Sequence, residues 1–351
     1  MRIGIIGAGT IGQKHAAAAR QAGTEIAWVI DSNESVGRAL ALEYQATHSK
    51  QVSQIWNDDS VSAVVIGVPN YLHRTLAIEA MKAGKDVLLE KPMALSHEEC
   101  QQIAQVAEET GRVLQVGFVH RYTGVGKLAR QLSARGKLGD IYSAKANLFF
   151  RRNVPGLGKW FTTKEFSGGG ALIDVGVHLL DLACYIMGFP KVESIVGQTF
   201  SNFGRRMETY YYENMWAGPP DLGGTCDVED AAQALIRFTN GATLELHVAW
   251  AGNYPSKFFP DSVMGFFGDQ GGMAFELFGS EVQFTSEHVG KLVDEKLAAE
   301  DVDFFLEQYI DFQRSVESRV VQGADIKQAS AVQAIVDGIY ASSQQPVVFS
   351  V

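Results

Sequence analysis

The chain has 351 residues, 46% of them hydrophobic, and carries 30 Lys and Arg against 40 Asp and Glu, a net charge of −10. That length calls for two domains, and the acidic balance disfavours nucleic acid or an anionic membrane as a partner. No uninterrupted apolar run reaches the roughly 20 residues a membrane span needs, and Gln13, Lys14 and His15 break up the one stretch that could imitate an export signal. From residue 2 to 118, short β-branched runs alternate with helical patterns. "RIGII", "EIAWVID", "SAVVIGVP", "DVLLE" and "VLQVGF" read as strands, and "IGQKHAAAARQAG", "SVGRALALEYQA", "YLHRTLAIEAMKAG" and "SHEECQQIAQVAEETG" as helices. Strands apolar on both faces and separated by helices predict a doubly wound parallel sheet.

After residue 122 the pattern changes. The helix "GKLARQLSARG" leads to "IYSAKANLFFRR", then to a glycine-rich turn and the helix "ALIDVGVHLLDLACYIMG". In "ATLELHVAW", Leu244, Leu246, Val248 and Trp250 face one way while Glu245 and His247 face the other. This alternation predicts an α+β domain with a large, mostly antiparallel, open-faced sheet. Two helices, "FFLEQYIDFQRSVES" and "IKQASAVQAIVDGIYASS", and a tail strand "PVVFSV" end the chain. The expected division is a dinucleotide-binding domain over 1–122 and a substrate-binding and oligomerisation domain over 123–351. The irregular stretch 201–228, with Tyr210, Tyr211, Tyr212 and Trp216, is long enough to suggest function or an interface. Cys100, Cys184 and Cys226 are odd in number and lack metal spacing, so they read as reduced thiols of a cytoplasmic protein.

Gly7-Ala8-Gly9-Thr10-Ile11-Gly12 is G-x-G-x-x-G between the first strand and the first helix, the context in which it marks a Rossmann dinucleotide cradle. The helix start offers free N–H groups to a pyrophosphate. Asp31 ends the second strand 19 residues after Gly12, where a carboxylate accepts the ribose hydroxyls and repels a 2′-phosphate. The cofactor expected is therefore NAD, with NADP less favoured. Val68, Pro69 and Asn70 end the next strand at the same edge, and His73, on the first turn of the following helix, reads equally as a cap or packing residue or as a further candidate cofactor contact.

"DVLLEKP" ends a buried strand in Glu90, Lys91 and Pro92, at the edge where such sheets bind ligands. Asp174 and His178 stand at i and i+4 behind Gly168–Gly170, a candidate general base with an orienting carboxylate; two ligands without further spacing do not make a metal site. Together these motifs resemble the glucose-fructose oxidoreductase/inositol dehydrogenase/MocA family over essentially the whole chain. The resemblance implies that Lys91 lies beside the nicotinamide and the substrate hydroxyl, that the Lys91-Pro92 bond is often cis, and that Glu90 reaches the cofactor ribose. It also implies that the second domain supplies Asp174 and His178.

On the substrate side, His120, Arg121 and Tyr122 follow the last strand of the first domain, and Arg151, Arg152, Lys159, Trp160 and Phe161 follow "ANLFF". Arg121, Tyr122, Arg152 and Trp160 are the substrate candidates beside Lys91, Asp174 and His178. The adjacent Arg151 and Arg152 would point to opposite faces of a strand, too dispersed for a phosphate, whereas Arg205-Arg206 would add cations if that loop covered the cleft. The expected activity is an NAD-dependent oxidation of a ring hydroxyl of a sugar, sugar derivative or inositol by a homodimer or homotetramer. A redox-cycling glycosidase and a non-catalytic sugar sensor are the alternatives; retention of Lys91, Asp174 and His178 speaks against the sensor.

Overall fold

The computed structural model describes residues 1–210, 215, 217–255 and 262–345; Tyr211, Tyr212, Trp216 and the tail strand expected at 346–351 lie outside the described residues. The chain divides into two compact units, Met1–Tyr122 with Asp303–Gln333, and Thr123–Val302 with Ala334–Val351.

In the first unit six strands form one parallel sheet: β1 (Arg2–Ile6), β2 (Glu25–Ile30), β3 (Thr47–Ser49), β4 (Ala63–Ile66), β5 (Asp86–Leu89) and β6 (Leu114–Val116). Their order is β3-β2-β1-β4-β5-β6. The chain builds outward from β1 to β3, then crosses back to lay β4 on the other side, so the order reverses between β1 and β4. Ligands of such sheets bind at that switch point, beyond the carboxyl ends of the strands. All four residues of β4 and of β5 are buried, as strands covered on both faces must be. Helix α1 (Thr10–Gln21) has no side-chain N-cap; Gly9 precedes it.

The boundary at 122 needs one correction, because Asp303–Gln333 belongs with the first unit. Tyr309 and Phe312, from the helix Phe304–Ser318, are fully buried in one core cluster with Ile3, Ile5, Ala16 and Ala19. Burying a ring of that size contributes about 1.5–3 kcal/mol. The segment then adds a backbone bond to the sheet, Val116 N–H to the Ala324 carbonyl at 3.0 Å.

The second unit carries an eight-stranded sheet: β7 (Ile141–Phe149), β8 (Val192–Phe200), β9 (Ala231–Phe238), β10 (Thr243–Ala249), β11 (Ser262–Gly268), β12 (Gly271–Phe275), β13 (Glu281–His288) and β14 (Lys291–Ala298). Its order is β14-β13-β12-β11-β7-β10-β9-β8, antiparallel except where β7 meets β10. Leu244, Leu246 and Val248 are buried and Glu245 and His247 exposed, the alternation read from the sequence. The stretch Lys164–Met187 is long and apolar enough on average to pass for a membrane span, yet 78% of its apolar window is buried, which marks it as a core helix. Within it a wide π turn at Leu172–Gly176 precedes the α-helix Val177–Met187. Such turns recur at functional sites.

Candidate active site

The parallel register aligns the strand ends of the first unit in one row, Ile30, Ile6, Ile66, Leu89 and Val116. One step further lies the row Asp31, Gly7, Gly67, Glu90 and Gly117, still held by backbone bonds such as Gly7 N–H to Ile30 carbonyl at 2.8 Å and Gly67 N–H to Ile6 carbonyl at 2.8 Å. Only Asp31 and Glu90 bring a side chain to that row; the three glycines leave it open. Gly67 and Gly117 carry no recognised motif and were not singled out from the sequence.

Gly7 has φ +98°, a conformation that favours glycine, and a Cβ there would strike the Gly67 carbonyl. A Cβ on Gly12 would strike the Gly7 carbonyl, so α1 lies directly against the turn. At Gly9 nothing stands within 4 Å of the Cβ position, which leaves open space over the first N–H groups of α1, around Thr10 and Ile11. These groups have no partner inside the helix. An open, donor-lined cradle at a helix start suits a pyrophosphate. Asp31 closes it: Oδ2 accepts the Ala8 N–H at 2.7 Å and Oδ1 the Asn33 N–H at 2.7 Å. Each oxygen keeps a second lone pair for a ribose hydroxyl. The residues fit a dinucleotide.

Val68 and Pro69 are half-buried at the end of β4, and Asn70 is buried at the start of a single 3₁₀ turn. Of the two roles open to His73, the structure gives the packing one. It is fully buried, with Nε2 2.9 Å from the Val68 carbonyl and Nδ1 2.7 Å from the Pro92 carbonyl. Burial lowers its pKa against the pull of both carbonyls, so the neutral ring donates to the nearer one, Pro92. The ring braces the two loops that edge the crevice and has no nitrogen left for a ligand.

Lys91 is half-buried and precedes a cis peptide bond to Pro92. Glu90 also departs from expectation, because its carboxylate is turned inward. Oε1 lies 2.6 Å from His15 Nε2, and Oε2 accepts the Lys91 N–H at 3.2 Å. Burial would raise this acid, but the His15 bond and the charge of Lys91 carry it below its ordinary pKa, so it is ionised. His120 is brought near Lys91: burial first, then that positive charge, lower its pKa to about 4. It is therefore a neutral imidazole at physiological pH. Arg121 and Tyr122 are core residues instead of free substrate contacts. Arg121 is 4% exposed and donates from Nη1 to Gln328 Oε1 at 2.6 Å, and Tyr122 is 7% exposed.

In the second unit, Asp174 sits in the π turn and His178 one turn later, both on the segment that follows Gly168–Gly170. Asp174 is buried, and its Oδ2 accepts the Trp250 Nε1–H at 3.0 Å. A bond of this kind to a carboxylate contributes about 1.5–3 kcal/mol. Trp250 is itself packed in a cluster with Val154, Leu157, Tyr210 and Val228, so part of the 201–228 stretch serves to seat it. The segment's start is gripped by Glu229, whose Oε1 accepts the Gly170 N–H at 2.9 Å, the Leu172 N–H at 2.9 Å and the Tyr340 hydroxyl at 2.9 Å. Burial pushes the Glu229 carboxyl up despite these donors. Cβ atoms on Gly169 and Gly170 would strike the Tyr340 hydroxyl and the Glu229 carbonyl, so these glycines admit protein neighbours.

Arg152 does not stand free for a substrate. Its guanidinium donates to the Arg151 carbonyl at 2.6 Å, the Gly252 carbonyl at 3.0 Å and Asn253 Oδ1 at 2.8 Å, and lies over the Phe203 ring. Arg206 is tied to the Asn202 carbonyl at 2.8 Å, within its own loop. Trp160 is half-buried and stacked on Phe161 at 3.7 Å between centroids. Among the described residues no group of three or more His, Cys, Asp or Glu could hold a metal ion.

Two family models match the chain: the oxidoreductase family with NAD-binding Rossmann fold over residues 1–118, and the GFO/IDH/MocA C-terminal domain over residues 127–284. D-glucoside 3-dehydrogenase of Escherichia coli (strain K12) is 32% identical over 357 residues, covering 98% of this chain and 95% of that protein. Levoglucosan dehydrogenase in complex with NADH superposes with a TM-score of 0.85 at 20% identity, covering 98% of this chain and 97% of that one. A protein of gentamicin A biosynthesis solved in complex with NAD gives a TM-score of 0.77 at 26% identity, covering 98% and 94%.

Proposed function

Because the chain belongs to the glucose-fructose oxidoreductase/inositol dehydrogenase/MocA family of NAD-dependent oxidoreductases, we propose that it oxidises a ring hydroxyl of a sugar or glycoside to the ketone. The similarity to D-glucoside 3-dehydrogenase carries this reading, since it runs through both units instead of the cofactor cradle alone. NAD supplies the hydride acceptor. The carbinol carbon gives up its hydride, the C–O bond becomes C=O, and the hydroxyl proton leaves to protein.

Lys91 and His178 are the groups proposed to handle that proton. A lysine ammonium polarises the hydroxyl oxygen as a point charge, and imidazole accepts and returns a proton near neutral pH. Asp174, fixed by Trp250, supplies a directed carboxylate for a hydroxyl or the imidazole. Trp160 with Phe161 offers a flat apolar surface for the C–H face of a pyranose. With Arg152 and Arg206 both committed to carbonyls, a neutral sugar is favoured over a phosphate ester.

A panel of glucosides, free aldoses, myo-inositol and glucose 6-phosphate, each with NAD and NADP and followed by NADH or NADPH absorbance, tests the reading. Net NADH from a neutral pyranose or pyranoside, with NADP markedly poorer because of Asp31, is expected. Glycosidic cleavage without net NADH would replace the dehydrogenase with a redox-cycling hydrolysis, and a preference for the phosphate ester would overturn the substrate class.

We further propose that the outer sheet face of the second unit pairs with a second copy. Val196 and Leu235 are register partners there, 64% and 46% exposed, Phe267 is 38% exposed, and Lys145 and Glu245 pair at 3.2 Å between them. Apolar side chains around a satisfied ion pair suit an isologous interface. Light scattering should give a multiple of 38.2 kDa, and Leu235→Glu should shift it toward the monomer. A wild-type mass of 38.2 kDa across micromolar concentrations would refute the pairing.

A further inference from the structure

Behind Lys91 stands a buried histidine to which the chemistry above gives no task. His15 lies on the inner side of α1, fully buried, and its Nε2 is 2.6 Å from Glu90 Oε1. The other oxygen of Glu90 accepts the backbone N–H of Lys91 at 3.2 Å. On its far side the imidazole meets the Phe305 ring edge-on, with centroids 5.3 Å apart, and its Nδ1 has no hydrogen-bond partner among the described residues.

We propose that His15 is a positioning residue for Lys91: its Nε2–H locks the Glu90 carboxylate, which in turn fixes the backbone from which the Lys91 side chain projects. The inference rests on the role proposed for Lys91.

The direction of the bond follows from the partners: a carboxylate only accepts, so Nε2 carries the proton. The lock is needed because of the glycines around it. The Gly117 Cβ position is 2.8 Å from Glu90 Oε1, and the Gly67 Cβ position is 3.9 Å from Glu90 Cγ. Without side chains there, His15 is the group that keeps Oε1 engaged. Remove it, and a buried carboxylate with an unmet oxygen must protonate or swing out. Either change alters the charge beside Lys91 and loosens its backbone. A displacement of about 1 Å in a reacting group costs on the order of 100-fold in rate.

A tie that served only to fasten α1 to the end of β5 would affect stability and cofactor binding, and would leave turnover alone. The two cases separate in His15→Phe, which fills the space without a donor, and His15→Gln, which restores an N–H at similar reach. Expected for His15→Phe is a kcat roughly 10- to 100-fold lower, with KM for the sugar and Kd for NAD within about threefold of wild type. His15→Gln should recover most of that loss. In the Lys91→Met background, His15→Phe should add little, since both act through one group.

Wild-type turnover in His15→Phe beside an inactive Lys91→Met overturns this inference alone. So does equal loss in the Phe and Gln variants, or a loss found wholly in NAD affinity. Normal turnover in Lys91→Met takes down the proposed role of the lysine and this inference with it. If His15→Phe does not fold, Glu90→Gln reads the same link, and an unchanged kcat there overturns it.

Discussion

Replacing Lys91 with methionine should lower kcat by roughly 10²- to 10⁴-fold, the usual worth of general acid–base catalysis. Methionine keeps most of the stem and removes only the ammonium, so the melting temperature should hold. The backbone N–H that Glu90 accepts is untouched, and the glycine turn and Asp31 lie on other strands. Affinity for NAD should therefore stay within a few-fold. His178→Ala should bring a similar loss with NAD binding unchanged, because the dinucleotide cradle is built wholly from the first unit and His178 belongs to the second. Steady-state kinetics with a direct NAD titration check both variants. Near-normal turnover in either would move the proton to another group, and the neutral imidazole of His120 near Lys91 would be the next to examine.

What the sequence made legible divides along physical lines. The parallel strands could be read because burial on both faces leaves runs such as "AVVI" and "DVLL" with few alternatives. The three-residue β3, "THS", has no apolar signature and was not foreseen. The helix Phe304–Ser318 was recognised as a helix but assigned to the second domain. An apolar stripe shows that a helix is covered, not which sheet covers it, and Tyr309 and Phe312 packed on the first.

The cradle was legible because three glycines at fixed spacing answer to one backbone geometry. Arg121 and Arg152 fail as substrate contacts, and His73 stayed open between packing and cofactor contact, for the opposite reason. A polar side chain in a sequence does not disclose whether carbonyls and amides of its own unit already use its donors. The pairs His15–Glu90 and Trp250–Asp174 join residues 75 and 76 positions apart, and no local pattern announces them. A lone histidine on the inner face of an alanine-rich helix was the only trace of the first.

The glycines of the cradle should fail in different ways when each gains a methyl group. In Gly12→Ala the new Cβ meets the Gly7 carbonyl, and a backbone–backbone collision cannot be relieved by a rotamer. Overpacking of this kind costs about 1–3 kcal/mol, and a rigid contact belongs at the upper end. Alanine's better helix propensity returns at most about 1 kcal/mol, so the collision wins. Helix α1 must back away from β1 and carry its first N–H groups with it. Gly12→Ala should lower the melting temperature by several degrees without cofactor and weaken NAD by roughly 10- to 100-fold, since every 1.4 kcal/mol is about tenfold. Gly9→Ala should do otherwise. Its backbone, at φ −67° and ψ −172°, is open to any residue, and nothing stands within 4 Å of the Cβ position. Cofactor-free stability should therefore match wild type. The methyl would nevertheless project into the space over the helix start that the pyrophosphate is expected to take, so NAD affinity should still fall. Thermal unfolding with and without NAD, together with NAD titration, separates the two. If Gly9→Ala binds NAD as wild type does, the pyrophosphate does not sit over Gly9, and the cradle as drawn is overturned.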